Sequence, residues 1–184
     1  MNKNIQTVLS AAVLAAVTAG TVYLDTKPTP VQTVELTVIT SDKYSVPDGD
    51  TSFKSYMDYR AITNIRSDQF KLQQECVTDS HGLRRYGEDY VIAVGSYYSK
   101  NIGDRLTITL DNGDSFTAVV GDFKANKHTD STNRYYAMSG GKKNVIEFIV
   151  DTDELDSKAR RMGDISYIDG FSGNITDISR TVKS

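Results

Sequence analysis

Residues 105–123 read RLTITLDNGDSFTAVVGDF, and this stretch decides the fold. Leu106, Ile108 and Leu110 alternate with threonines, the period of a strand with one buried face. Asp111-Asn112-Gly113-Asp114 then turns the chain, because Asn-Gly tolerates the positive φ that tight hairpins need. Phe116 to Val120 returns as the second strand of a β-hairpin. Towards the N-terminus, Tyr90 to Gly95 is a continuous apolar run of strand length, expected to be buried on both faces. Tyr56 to Ile65 is rich in strand-forming residues, and Ser41 to Ser52 is a polar loop. Ser67 starts a short helix at Asp68 to Glu75 as its N-cap, with acid in the first turn. Towards the C-terminus, Val145 to Val150 is another apolar strand. Thr152 is the expected cap of a helix at Asp153 to Met162, which ends in Arg160, Arg161 and the stop residue Gly163. Ile165 to Ile168 and Ile175 to Ile178 close the chain as short strands. Many short strands with few helices make the chain mainly β. The expected form is a six-stranded closed barrel from about Met57 to Ile178, with the second helix packed across it, since closure removes exposed edges.

Composition sets the outer limits. The chain has 184 residues, of which 39% are hydrophobic and 24% charged, so disordered and collagen-like readings are excluded. The net charge of -3 argues against a basic nucleic-acid interface, and no nucleic-acid partner is expected. A single cysteine, Cys76, makes no intrachain disulfide, and it reads as a small, partly buried helix residue. Two histidines and one cysteine do not build a zinc site of the usual kind, and no glycine-rich phosphate loop is present. No cofactor or metal is therefore expected. Residues 5–24 are apolar or small without a charge, which suits either a cleaved secretory signal or one uncleaved membrane anchor. Either way the remainder is expected to be exported: membrane-anchored or secreted, and associated with the cell envelope. The organisation reads as 1–26 signal or anchor helix, 27–52 linker with an accessory edge strand at Val34 to Ile39, and 53–184 barrel domain.

Chemistry concentrates just after the hairpin. Gly121-Asp122-Phe123-Lys124-Ala125-Asn126-Lys127-His128-Thr129-Asp130 packs two acids, a histidine and two lysines into ten residues. A carboxylate at the end of a buried strand is partly desolvated, which raises its pKa towards the range of a general acid or base. Asp122 is the leading candidate, with His128 and Asp130 as catalytic partners and Lys124 in the cleft. The competing reading is a solvated loop in which Asp122 caps a turn. With no tryptophan and 11 tyrosines, any sugar-stacking platform would be built from Tyr97, Tyr98, Tyr135 and Tyr136.

The order Val91-Ile92-Ala93-Val94, Ile102-Gly103-Asp104-Arg105-Leu106, Asn112-Gly113, Ala118-Val119-Val120-Gly121-Asp122 and Val145-Ile146-Glu147-Phe148 resembles a double-psi β-barrel of the peptidoglycan-active kind. Proteins of this type include the three-aspartate domain, rare lipoprotein A and the barrel of membrane-bound lytic transglycosylase A. The exported region also resembles Gram-positive and phage-associated proteins with a Gly-Asp-x-Lys-Ala-x-x-His-Thr-Asp motif. The resemblance covers roughly Tyr90 to Val150. It implies a six-stranded double-psi barrel in which Asp122 matches the acid after the hairpin and Glu147 the acid of the last strand, here a substrate-binding residue. This chain departs from the pattern at Asp122-Phe123-Lys124-Ala125, where the family has Asp-Thr-Gly-Gly, and at Glu147, where the family has Asp.

The resemblance implies cleavage of peptidoglycan glycan by lytic transglycosylation, which needs only one acid/base. The alternatives are a non-catalytic barrel that binds peptidoglycan or another glycan, and a structural component of a phage or secretion assembly that packs against protein partners. An uncleaved N-terminal helix would add the membrane as a partner.

Overall fold

Leu106, Ile108 and Leu110 are buried and the threonines between them half-exposed, as their alternation requires. The computed structural model describes residues 39–183. The apolar segment 5–24 and the linker lie outside the described residues, as does the expected edge strand apart from Ile39. The principal strands, in chain order, are β1 (Ile39–Tyr44), β2 (Ser55–Asp58), β3 (Val77–Thr78), β4 (Arg84–Tyr86), β5 (Asp89–Val94), β6 (Arg105–Leu110), β7 (Ser115–Phe123), β8 (Tyr136–Ala137), β9 (Lys143–Asn144), β10 (Ile146–Val150) and β11 (Ile175–Lys183). Two short helices, α1 (Asp68–Gln74) and α2 (Ser157–Met162), complete a mainly β fold. No helix among the described residues is long and apolar enough to cross a membrane.

The strands form an open mixed sheet in the order β1-β11-β6-β7-β5-β10-β2, with β4 also paired to β5 and β3 to β4. The pairs β5–β7 and β10–β2 are parallel, and the other neighbours along this path are antiparallel. The expected six-strand closure is not among these pairings, because β1 and β2 end the path without pairing to each other. Strands β8 and β9 form a separate two-stranded ribbon.

Both faces of β5 are covered, as its unbroken apolar run predicts. Ile92 and Val94 face the larger core with Leu106, Ile108, Val120, Phe148 and Ile178. There Phe171 stacks edge-on against Tyr90 and Phe148, with ring centroids 5.0 Å apart in each pair. Val91 and Ala93 face a smaller core with Val119, Ile149, and Leu72 and Cys76 from the region of α1. Ser67 caps α1 as expected, its Oγ accepting from the Phe70 N–H at 3.2 Å.

Several local expectations change. The polar segment after residue 41 first continues β1 to Tyr44, where it pairs with β11. The strand-like run from Tyr56 stops at Asp58, whose side chain accepts from Arg60 N and opens a 3-10 turn. Thr152 does not cap α2, because its N–H and Oγ both donate to Asp58 Oδ2, at 3.0 and 2.6 Å. Asp156 takes that role four residues later, accepting from Lys158 N and Ala159 N. Gly163 ends the helix in the left-handed region, at φ 67°, as the sequence predicts. Ile165–Tyr167 is a 3-10 turn capped by Asp164 rather than a strand.

Candidate functional site

The site begins with a flaw in the sheet register. Val119 and Val120 of β7 lie opposite Val91 and Ile92 of β5, but the next partner of β5, Ala93, lies opposite Asp122. Gly121 is the extra residue of a β-bulge. Strict alternation from Val120 would send Gly121 to the α1 face and Asp122 into the main core. The bulge places Asp122 on the α1 face instead, directly after Gly121. Only glycine fits there, since a Cβ at residue 121 would sit 2.3 Å from Val91 Cγ1 and 3.4 Å from Gln73 Nε2.

Ala93 is paired on its other side with Glu147 of β10, and Glu147 with Ser55 of β2. Ser55, Glu147, Ala93 and Asp122 therefore form one transverse row across four strands, all on one face. The two carboxylates stand two strands apart, about 10 Å between backbones at the usual interstrand spacing. Ser55, Glu147 and Asp122 of this row line a cleft of about 320 Å³, walled by Met57, Phe123, Lys124, His128, Tyr136 and Met138.

Each acid has its own setting. Burial raises the pKa of Asp122, an effect partly offset by hydrogen bonds from the Phe123 N–H and the Gln69 side chain and reinforced by the charge of Glu147. Glu147 Oε1 accepts from Ser55 Oγ at 2.9 Å, and Ser55 Oγ in turn accepts from Asn144 Nδ2 at 2.5 Å. Glu147 Oε2 lies 3.9 Å from Lys124 Nζ, an ion pair beyond hydrogen-bond length. Burial pulls the Lys124 ammonium below the ordinary lysine range, and Glu147 partly counters it. The cleft thus holds one carboxyl group positioned by a hydroxyl and a cation, and a second whose pKa burial raises.

The sequence candidates divide. The structure gathers Asp122, Lys124, His128 and Glu147 around one cleft, with His128 exposed on its wall. Asp130 stands outside the lining. Its Oδ1 accepts from Arg134 N and Tyr135 N at 2.7 and 3.1 Å, and its Oδ2 from Thr132 N at 3.0 Å and from Thr132 Oγ. Asp130 is therefore the knot of the loop, and these bonds lower its pKa against the cost of its partial burial. Tyr98 is fully buried beneath Tyr44 and Tyr97, and no sugar face can reach it. Tyr97 bonds Ser45 through its hydroxyl and lies outside the lining, as does Tyr135, whose ring meets Lys143. Of the four tyrosines considered, Tyr136 alone lines the cleft, and it is 44% exposed. Sequence reasoning missed Ser55, Asn144 and Gln69. The one signal was polarity at positions flanking apolar strands.

Among the described residues, no group of three His, Cys, Asp or Glu side chains is placed to hold a metal ion. Compared with known proteins, the chain matches no family model, no curated protein and no solved structure.

Proposed function

We propose that this protein is an exported, cell-envelope enzyme that cleaves peptidoglycan glycan by lytic transglycosylation, on a fold related to the double-psi barrel. The observation that carries the reading is the placement of Asp122, a half-buried carboxyl delivered by the Gly121 bulge into a cleft large enough for a sugar ring. Its raised pKa suits a group that must first give a proton to the glycosidic oxygen. The resulting carboxylate then takes the proton of the sugar's own hydroxyl as that oxygen attacks the anomeric carbon. Both steps use one carboxyl, and no water nucleophile is needed. Glu147, fixed by Ser55 and Lys124, supplies negative charge across the cleft from Asp122. Such charge favours the positive sugar ring of the transition state.

A zymogram on purified cell walls tests the proposal. Wild type should clear the substrate, and Asp122→Asn should lose at least about 10²-fold of the rate, the usual size of a general-acid contribution. Clearing by Asp122→Asn at the wild-type rate would defeat the assignment of Asp122. A second reading, a glycan-binding module without catalysis, rests on the exposed ring of Tyr136 beside Met138 at the cleft wall. Retention on insoluble peptidoglycan without any clearing would favour it.

A further inference from the structure

A glycan-cleaving role uses Lys124 only as a loose counter-ion of Glu147 and leaves the chemistry of its amine unused. Its side chain is only 6% exposed, yet it lines the cleft. Among the described residues its Nζ has no hydrogen-bond acceptor, and the nearest carboxylate oxygen is Glu147 Oε2 at 3.9 Å. An ammonium on so little exposed a side chain, with no protein acceptor, is poorly solvated, which shifts it towards the neutral, nucleophilic amine. The charged and titratable groups that line the cleft with it are Glu147 on β10, Asp122 on β7, His128 and Tyr136.

Lys54 shows why burial alone is not the argument. It is fully buried, and desolvation pulls its pKa down to about 8. Its Nζ, however, donates to Ser52 O at 3.0 Å and Gly173 O at 2.8 Å, and it does not line the cleft. Lys54 is a tether between two chain segments. Lys124 is a buried amine that faces open space.

We propose that Lys124 is a carbonyl-capturing amine, which condenses with a small aldehyde or ketone ligand held in the cleft beside Asp122. The Lys124 nitrogen lone pair forms a bond to the carbonyl carbon, and the carbonyl π pair moves to oxygen, which takes the proton of the Asp122 carboxyl. The Asp122 carboxylate removes a proton from the nitrogen and returns it to the hydroxyl, which leaves as water while the C=N bond forms. The sum is neutral amine, carbonyl and the Asp122 carboxylic acid giving iminium, water and the Asp122 carboxylate, with charge conserved and no oxidant or reductant. Glu147 stands near enough to balance the iminium charge. The raised pKa of Asp122 and the lowered pKa of Lys124 agree with these two roles.

The test is reductive trapping. The folded protein is incubated with glycolaldehyde and cyanoborohydride, and the adducts are mapped by peptide mass spectrometry. Lys124 should carry the dominant adduct, ahead of the exposed Lys43 and Lys71 and of the buried Lys54. Asp122→Asn should slow trapping at Lys124 by about 10²-fold while leaving the surface lysines unchanged. Lys124→Arg should abolish the dominant adduct with the fold intact by circular dichroism. Adducts spread evenly over the lysines, or labelling of Lys54 as fast as Lys124, would overturn the proposal. So would an unchanged trapping rate at Lys124 in Asp122→Asn. Should Lys124→Arg fail to fold, Lys124→Met replaces it, and the Asp122→Asn rate decides independently. None of these readouts depends on glycan cleavage, so the two proposals can fail separately.

Discussion

Gly121→Ala puts one methyl group where the sheet has no space. The added Cβ would lie 2.3 Å from Val91 Cγ1. Carbon atoms normally approach no closer than about 3.5 Å, so a gap of roughly 1.2 Å must open. Val91 is fully buried and β-branched, so it cannot swing to another rotamer without meeting its own neighbours. The strain falls on backbone and core together, and overpacking of this kind costs about 1–3 kcal/mol. For a domain of this size that corresponds to a Tm lower by roughly 2–12 °C, at about 2–4 °C per kcal/mol. Calorimetry or urea denaturation of the purified variant reads it directly. The cause is separable from the mere loss of a glycine: Val91→Ala removes the obstructing Cγ1. The double variant should therefore be more stable than the sum of the two single losses, by about 0.5–3 kcal/mol of coupling. A Tm unchanged in Gly121→Ala, or strict additivity in the double variant, would refute the bulge packing described above.

Three further outcomes are expected. Because the folded state raises the Asp122 pKa, the folded protein binds that proton more tightly than the unfolded chain. The stabilisation is complete in acid, below the unfolded value, and is lost as pH rises through the raised folded value. Asp122→Asn should accordingly be at least as stable as wild type at neutral pH and lose that advantage in acid, as thermal melts at both conditions would show. Cys76, whose thiol burial pushes up to about 11 and whose Sγ donates to Leu72 O, should resist iodoacetamide in the folded protein and react promptly in urea. Asp58, held well below the usual carboxylate range chiefly by Arg60 and further by Thr152, should have the opposite pH signature. Asp58→Ala should cost about 1–3 kcal/mol at neutral pH, with a loss that shrinks as acid protonates the wild-type carboxyl; urea denaturation at neutral and acid pH measures both.

How much of this was legible depended on how local each cause is. The Asn112-Gly113 hairpin, the Ser67 cap and the Gly163 stop each depend on a few adjacent residues, and each stands where the sequence put it. Asp122 was legible as the acid at a strand end, and His128 and Lys124 as its neighbours in sequence. The bulge was not, since alternation in one strand carries no record of the register with the next. Ser55 was invisible for another reason: its partners Asn144 and Glu147 lie 89 and 92 residues away. Tyr98 misled because a tyrosine is equally at home in a core and on a sugar-binding surface, and only packing separates the two. Thr152 misled because a distant carboxylate, Asp58, outcompeted the adjacent helix end for its hydroxyl.

The knot at Asp130 has a consequence for how this cleft could change over generations. The acceptor bonds of Asp130 all close within residues 130–135, so the turn sets most of its own shape, with Asn133 O and Arg134 tying it to Tyr97 N and Ser45. The wall residues His128, Tyr136 and Met138 flank that turn, while the acids and the lysine descend from strand ends beneath it. Ligand preference and chemistry are thus written on separable pieces of chain. Substitutions that reshape the wall can accumulate without disturbing the Ser55–Glu147–Ala93–Asp122 row, and a library varied only at 128, 136 and 138 should retain the fold while redistributing what the cleft accepts.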